Sequence, residues 1–194
     1  MSSAGFDTIH RGFSMACVRP SSWTRFRTCR RCSTSFENLG KRLIKSPKVY
    51  IADSGLACHL LGVETEAELE KSPFLGALFE GFIAGEIVKA QLNAGRRREL
   101  YYFRDQQGLE VDFVVPGKGG GLRLVEAKAA RTVTPGDAGP IQRLAAAWSK
   151  RPGPRGRVEQ VLVHRPARAG VASRAVAPGV QALPWQEFVT RGLG

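Results

Sequence analysis

Two carboxylates and an amine stand close together in "GLEVDFVVPGKGGGLRLVEAKAA", residues 108–130: Asp112, then Glu126 and Lys128. The stretch reads as two β-strands around a glycine-rich turn. Side chains alternate across a strand, so Leu122, Leu124, Glu126 and Lys128 share one face, with Glu126 and Lys128 roughly 6.5–7 Å apart. On the preceding strand the same alternation sets Val111, Phe113 and Val115 on one face and Glu110, Asp112 and Val114 on the other. If the antiparallel register puts Asp112 beside Glu126, the two acids meet at one spot. Neighbouring carboxylates raise each other's pKa unless a positive charge lies between them. Hard oxygen ligands with no histidine or cysteine nearby suit Mg²⁺ or Mn²⁺ better than zinc. Such a metal activates water and neutralises charge developing on a phosphodiester, with Lys128 orienting the water or stabilising the oxyanion. The plain alternative is a surface ion pair of Glu126 with Lys128, a contact that contributes at most about 1 kcal/mol.

The elements around these residues follow from periodicity and turn chemistry. Three strands, 99–105, 109–115 and 122–130, are joined by "QQG" and "PGKGGG" and predict an antiparallel meander. Before them, residues 74–93 carry apolar side chains at 75, 78, 79, 82, 83, 87 and 90, the spacing of a long helix, with Gly95 as its stop. A short strand at 49–52, a brief helix capped by Asp53 or Ser54, and a small acidic helix with a Thr65–Glu68 capping box, closed by Pro73, lead into it. After the meander, Asp137 caps a helix whose Ile141, Leu144, Ala145 and Trp148 form an apolar face. The strand 158–164 and a short helix from "PWQEFVTRGL" complete an αβββαβ order. Tyr101, Tyr102 and Phe103 could stack on bases, but on a central strand they read as core. Gln142 reads as a solvated helix residue, and His164 ends a strand with no evident acid or cysteine partner.

Composition sets the wider frame. The chain has 194 residues and 43% hydrophobic content, enough for one globular domain plus an appendage. Its net charge of +12 points to a polyanionic partner, nucleic acid first, although an arginine-rich composition alone makes many proteins basic. No run approaches the length needed to cross a bilayer, and the N-terminus lacks an apolar signal region, so a soluble, cytoplasmic protein without a membrane partner is expected. Cysteines at 17, 29, 32 and 58 include one "CRRC"; a lone pair of this kind is a weak zinc signal, and reduced, unmetallated thiols are expected. Residues 1–35 are rich in Ser, Arg and Cys and show neither hydrophobic period, which predicts a poorly ordered segment with order beginning near Phe36. The division is then 1–35, a strand–helix lead-in at 36–73, and a main domain at 74–194.

An acid on the long helix, then Asp112, then Glu-x-Lys on an αβββαβ skeleton resembles the PD-(D/E)xK nuclease superfamily. More narrowly, "FENLGKRLIKSPKVYIADSGLACHLLG", "GALFEGFIAGEIVKAQL", "YYFRDQQGLEVDFVV" and "LVEAKAA" look like successive blocks of domain of unknown function 4143. In many prokaryotic proteins that domain follows an AAA-type ATPase module. The resemblance covers about residue 36 to the C-terminus. It implies an α/β, restriction-endonuclease-like fold with a mixed central sheet flanked by helices. It assigns Asp112 and Glu126 as metal ligands, Lys128 as the catalytic lysine, Mg²⁺ or Mn²⁺ as cofactor, and Glu80 as the helix acid. On the helical wheel, however, Glu86 lies at the centre of the apolar stripe and Glu80 at its edge, so Glu86 stays as the alternative. The expected activity is metal-dependent phosphodiester hydrolysis, with DNA favoured as substrate. The alternatives are an idle nucleic-acid-binding module and a protein-interaction domain serving an ATPase or a second copy of the chain. No G-x-x-x-x-G-K-[ST] is present, and "GKGGG" at 117–121 precedes a strand, so ATP hydrolysis is not expected of this chain. Residues 1–35 do not resemble what precedes "FENLGKR" in the family, which suggests a truncated gene or a start in a wrong frame.

Overall fold

The alternating apolar pattern of 99–130 folds as an antiparallel meander in the computed structural model, which describes residues 16–19, 25–28, 48–150, 156–166, 174–191 and 193. Strands β3 (Tyr101–Arg104), β4 (Glu110–Pro116) and β5 (Leu122–Lys128) form one half of a six-stranded mixed sheet. The other half is β6 (Val158–His164), β8 (Val180–Pro184) and the edge strand β7 (Arg174–Ala177), in the order β3-β4-β5-β6-β8-β7. β5, β6 and β8 run parallel, and β7 returns antiparallel to β8. Beyond the expected αβββαβ order, "RAVAPGVQALP" thus supplies two further strands. Pro178 and Gly179, the latter at φ +76, make the turn between them. A separate antiparallel pair joins β1 (Ala16–Arg19) to β2 (Arg25–Thr28). The rest of the segment expected to be poorly ordered, and the Cys29–Cys32 pair, lie outside the described residues.

Helices cover both faces. The lead-in carries α1 (Ser54–Leu60), N-capped by Asp53, and α2 (Glu66–Lys71), which has the complete Thr65–Glu68 capping box. The long helix α3 spans Leu75–Asn93 and ends in a Schellman arrangement: Gly95, at φ +65, donates to Leu92 O and Arg96 to Gln91 O. Its Phe79, Ile83 and Ile87 pack on Tyr102, Phe113, Val125, Val161 and Val163. The helix α4 (Gly139–Ser149) presents Ile141, Leu144, Ala145 and Trp148 to Val111, Val114, Leu122, Leu124 and Leu162 on the opposite face. The closing helix α5 (Trp185–Arg191) joins the α3 side through Phe188, and Trp185 meets Phe82 edge-on at 5.3 Å.

Two expectations need correction. The strand at 49–52 is a single bridge residue at Val49, because Val49 and Ile51 are exposed and no ladder continues on either side. Strict alternation along β4 also fails. Tyr101 pairs with Val114 and Phe103 with Val111, so two steps on β3 answer three on β4. The extra residue is a β-bulge, and it puts Val111 and Val114 in the same core cluster with Phe113 in the other. Asp112 lies within the bulge.

Candidate active site

The bulge and a fork in the sheet create the site. The β4–β5 ladder runs from Pro116↔Leu122 to Phe113↔Val125, and one further step in that register sets Asp112 opposite Glu126. There the backbone pairing stops. Asp112 Oδ2 accepts the Ala127 N–H at 3.1 Å, so a carboxylate stands where the neighbouring strand would offer a carbonyl. The opening is a cleft of about 430 Å³ lined by Glu80, Glu110, Asp112, Glu126 and Lys128, with Gly76 from α3 and Pro140 from α4 on its sides.

Each acid arrives by a different route. Glu80 comes from the first half of α3, beside the buried Phe79, Ile83 and Ala84. Glu110 opens β4 just after the β3–β4 turn, in which Asp105 Oδ1 accepts the N–H groups of Gln107 and Leu109 and Gly108 takes φ +80. Asp112 occupies the bulge, and Glu126 ends the buried run of β5 with only 5% of its surface exposed. The alternative helix acid, Glu86, lies elsewhere: it pairs with Lys89 and lines a separate cavity with Tyr50 and Asp53. The wheel misplaces it because the apolar stripe of α3 merges two contacts. Phe82 turns to Trp185, whereas the sheet-facing arc is Phe79, Ile83, Ala84, Ile87 and Gln91. That arc includes the neighbourhood of Glu80.

Three cations answer the acids. The Lys128 Nζ is 2.9 Å from Glu126 Oε1. Arg104 grips Glu110 through Nε and Nη2 at 2.7 and 2.6 Å. The third is Lys48, whose ammonium lies 2.7 Å from Glu80, 2.6 Å from Glu110 and 3.0 Å from Asp112, and 5.6 Å from the centre of the Tyr102 ring. The Tyr50 hydroxyl donates to the same Glu80 oxygen that Lys48 holds. Lys48 and Tyr50 escaped the sequence reading. Their spacing of two in the extended "PKVY" stretch, which sends both side chains to one side, was the available signal.

The electrostatics follow from burial and crowding. Burial pushes the Glu126 carboxyl up to about 7; the charge on Asp112 adds to the rise and Lys128 opposes it. Burial likewise raises Glu80, with Asp112 adding and Lys48 opposing. Burial works against the Lys48 charge, yet Asp112 and Glu80 carry its pKa above the ordinary lysine value. Glu126 Oε2 is buried and accepts no hydrogen bond from the described residues. A buried carboxylate oxygen with no donor is costly unless something fills that role, and a cation in the cleft is the chemistry it suits. Asp112 and Glu126 are the carboxylates that would hold a divalent ion here; Asp112 Oδ1 already meets Lys48 and its Oδ2 the Ala127 N–H, and Glu126 Oε1 meets Lys128. A three-acid cage is not formed: among the described residues no group of three or more His, Cys, Asp or Glu is placed to hold a metal ion. Glu80, expected as a third ligand, has its Oε1 engaged by Lys48 and Tyr50.

The remaining candidates have structural places. Tyr101, Tyr102 and Phe103 are buried in the core. Gln142 lies at the surface of α4 and ties it to the β7–β8 turn by donating to Pro178 O at 3.0 Å. His164 is buried at the end of β6, in register with Lys128, and its Nδ1 has no partner. Cys58 is a free thiol on α1. Among the described residues no helix is long and apolar enough to cross a membrane.

Comparison with known proteins gives a family without an assigned activity. The model of a domain of unknown function, DUF4143, matches residues 75–172, about half of the chain, and the chain belongs to that family. A second model, domain of unknown function DUF8612, matches residues 24–67. Uncharacterized proteins of Mycobacterium bovis and Mycobacterium tuberculosis are each 46% identical over 80 residues, 41% of this chain and 17% of theirs. The chain thus spans about one sixth of the length of these curated relatives. No solved structure matches the chain.

Proposed function

We propose that this DUF4143 domain is a nuclease-like module of the PD-(D/E)xK type, on a restriction-endonuclease-like core, that binds nucleic acid and hydrolyses phosphodiesters with Mg²⁺ or Mn²⁺. The observation that carries the reading is the unpartnered, buried Glu126 Oε2 in a cleft shared with Asp112 and Lys128. Asp112 and Glu126 are the metal-holding pair. A divalent ion bound there supplies Lewis acidity and lowers the pKa of a bound water. Lys128, paired to Glu126, carries the charge that orients the water or meets a phosphate oxygen. Glu80 acts one step away, through Lys48 and its contact with Asp112. An ATPase module on a longer chain, or a second copy of this one, remains the proposed protein partner, suggested by the family resemblance and by the length of the relatives.

A thermal melt with and without millimolar Mn²⁺ tests the metal pair. Mn²⁺ is expected to raise Tm for the native chain and to leave Asp112→Ala and Glu126→Gln unmoved. Cleavage of plasmid and single-stranded DNA is then expected with metal and lost in Lys128→Ala. No Mn²⁺ shift in the native protein sinks the reading.

One observation favours a second reading, an idle nucleic-acid-binding module. The contacts of Lys48, Arg104 and Lys128 already give every acid of the cleft a cationic neighbour. Salt-sensitive DNA binding without metal-dependent cleavage selects it.

A further inference from the structure

Lys48 is placed as metal ions are placed. Its ammonium touches carboxylate oxygens from three separate positions in the fold, Glu80 on α3, Glu110 at the start of β4 and Asp112 in the bulge, at 2.6–3.0 Å. The side chain is 15% exposed, with the Tyr102 ring beside it and Tyr50 bonded to the same Glu80 oxygen. Oxygens around Mg²⁺ lie at about 2.1 Å, so the acids here are gathered around an ammonium, at ammonium distances. Glu126, by contrast, is held by Lys128 through Oε1, and its buried Oε2 has no hydrogen-bond partner among the described residues. Lys48 therefore fills one part of the acidic cleft, while in the other part Lys128 meets only one oxygen of Glu126.

From this we infer that Lys48 is a built-in substitute for a second divalent ion, so that the cleft takes one metal, between Asp112 and Glu126, and excludes another from Glu80, Glu110 and Asp112. The inference rests on the metal reading above and adds to it the stoichiometry and the residue that fixes it. Charge counting agrees. With all carboxylates ionised, Glu80, Glu110, Asp112 and Glu126 face Lys48, Arg104 and Lys128, leaving one negative charge. One divalent ion reverses that to a single positive charge, which one phosphodiester neutralises. A second divalent ion beside the ammonium would add two more positive charges to a space where Lys48 already repels it.

Counting Mn²⁺ bound per full-length chain, by isothermal titration and by loss of the free-ion paramagnetic resonance signal, tests this. The native chain is expected to bind one ion and Lys48→Met two. The added ion disappears when two of its three acids are lost, in Lys48→Met/Glu80→Gln/Glu110→Gln, and the first one in Glu126→Gln. Lys48→Arg, which keeps the charge, keeps the native count. Equal counts in the native chain and Lys48→Met overturn the inference, as does a second ion in Lys48→Arg. A native chain that binds none overturns the metal reading instead, while an ion gained on removing Lys48 still supports the exclusion assigned to it. Because Lys48→Met leaves three acids without their shared cation, Lys48→Met/Glu110→Gln serves as the second variant. It is expected to gain an ion as well, and if it is folded by circular dichroism and gains none, the inference fails.

Discussion

Glu126 is held in a setting that works against its own charge, and stability should report it. Its carboxyl titrates near 7 in the fold against an ordinary 4.5, so between those values the native chain binds a proton that the unfolded chain has released. Stability from this group is complete below about pH 4.5 and is lost as pH rises through about 7. The loss is on the order of 3 kcal/mol. Metal-free denaturant melts of the native chain are therefore expected to weaken from pH 5 to pH 7.5. Glu126→Gln removes most of that slope; Glu80, which burial shifts in the same direction, adds to what remains, and His164, whose pKa burial lowers, opposes it. A native profile flat over this range, or one unchanged by Glu126→Gln, contradicts the assignment. Lys128 sits 2.9 Å away without cancelling the effect, because 36% of its side chain remains exposed and water screens its charge.

At the scale of elements, the site depends on β4 being irregular at one point and regular on both sides of it. Phe113 follows Asp112 directly and is fully buried among Tyr102, Val125 and the residues of α3. It anchors the bulge from below. Phe113→Ala is expected to cost about 3–5 kcal/mol in a denaturant melt and to reduce Mn²⁺ protection by more than a distant core truncation of equal cost, such as Ile141→Ala scaled for its own loss. The meander, the long helix, both short capped helices and the neighbourhood of Asp112 with Glu126 were legible in the sequence, since period and turn chemistry determine them locally. The bulge was not. Val111, Phe113, Val114 and Val115 are all apolar, so one extra residue leaves no mark on the pattern. The helix acid was blurred because α3 makes two apolar contacts and its stripe averages them. The β7–β8 hairpin was missed although Pro178-Gly179 marked its turn, because its flanking strands are short and rich in alanine. The spacing of Lys48 and Tyr50 put them on one side of an extended stretch but could not say what they meet: 64 positions separate Lys48 from Asp112, and only the tertiary fold brings them together.

At the scale of the whole molecule, a strongly basic chain carries an acidic cleft. The chain carries +12, and Arg96, Arg97 and Arg157 line a second cleft of about 500 Å³ at the start of β5, the end remote from Glu126. An extended polyanion drawn by that charge would meet the acids only through a bound cation. Binding of a fluorescent DNA duplex is expected to weaken steeply with salt, with log K falling by about 0.9 per decade of salt for each phosphate neutralised and at least three phosphates counted. A slope near zero removes nucleic acid as the partner.

The contact between Lys48 and the three acids also bears on where this domain should be cut. The family match starts at residue 75, and so does the long helix, which makes that position look like a natural boundary. A fragment begun there would keep Glu80, Glu110 and Asp112 and discard the cation they share. The short lead-in is thus part of the cleft's chemistry, distant along the sequence though adjacent in space, and any transplant of the domain has to carry it.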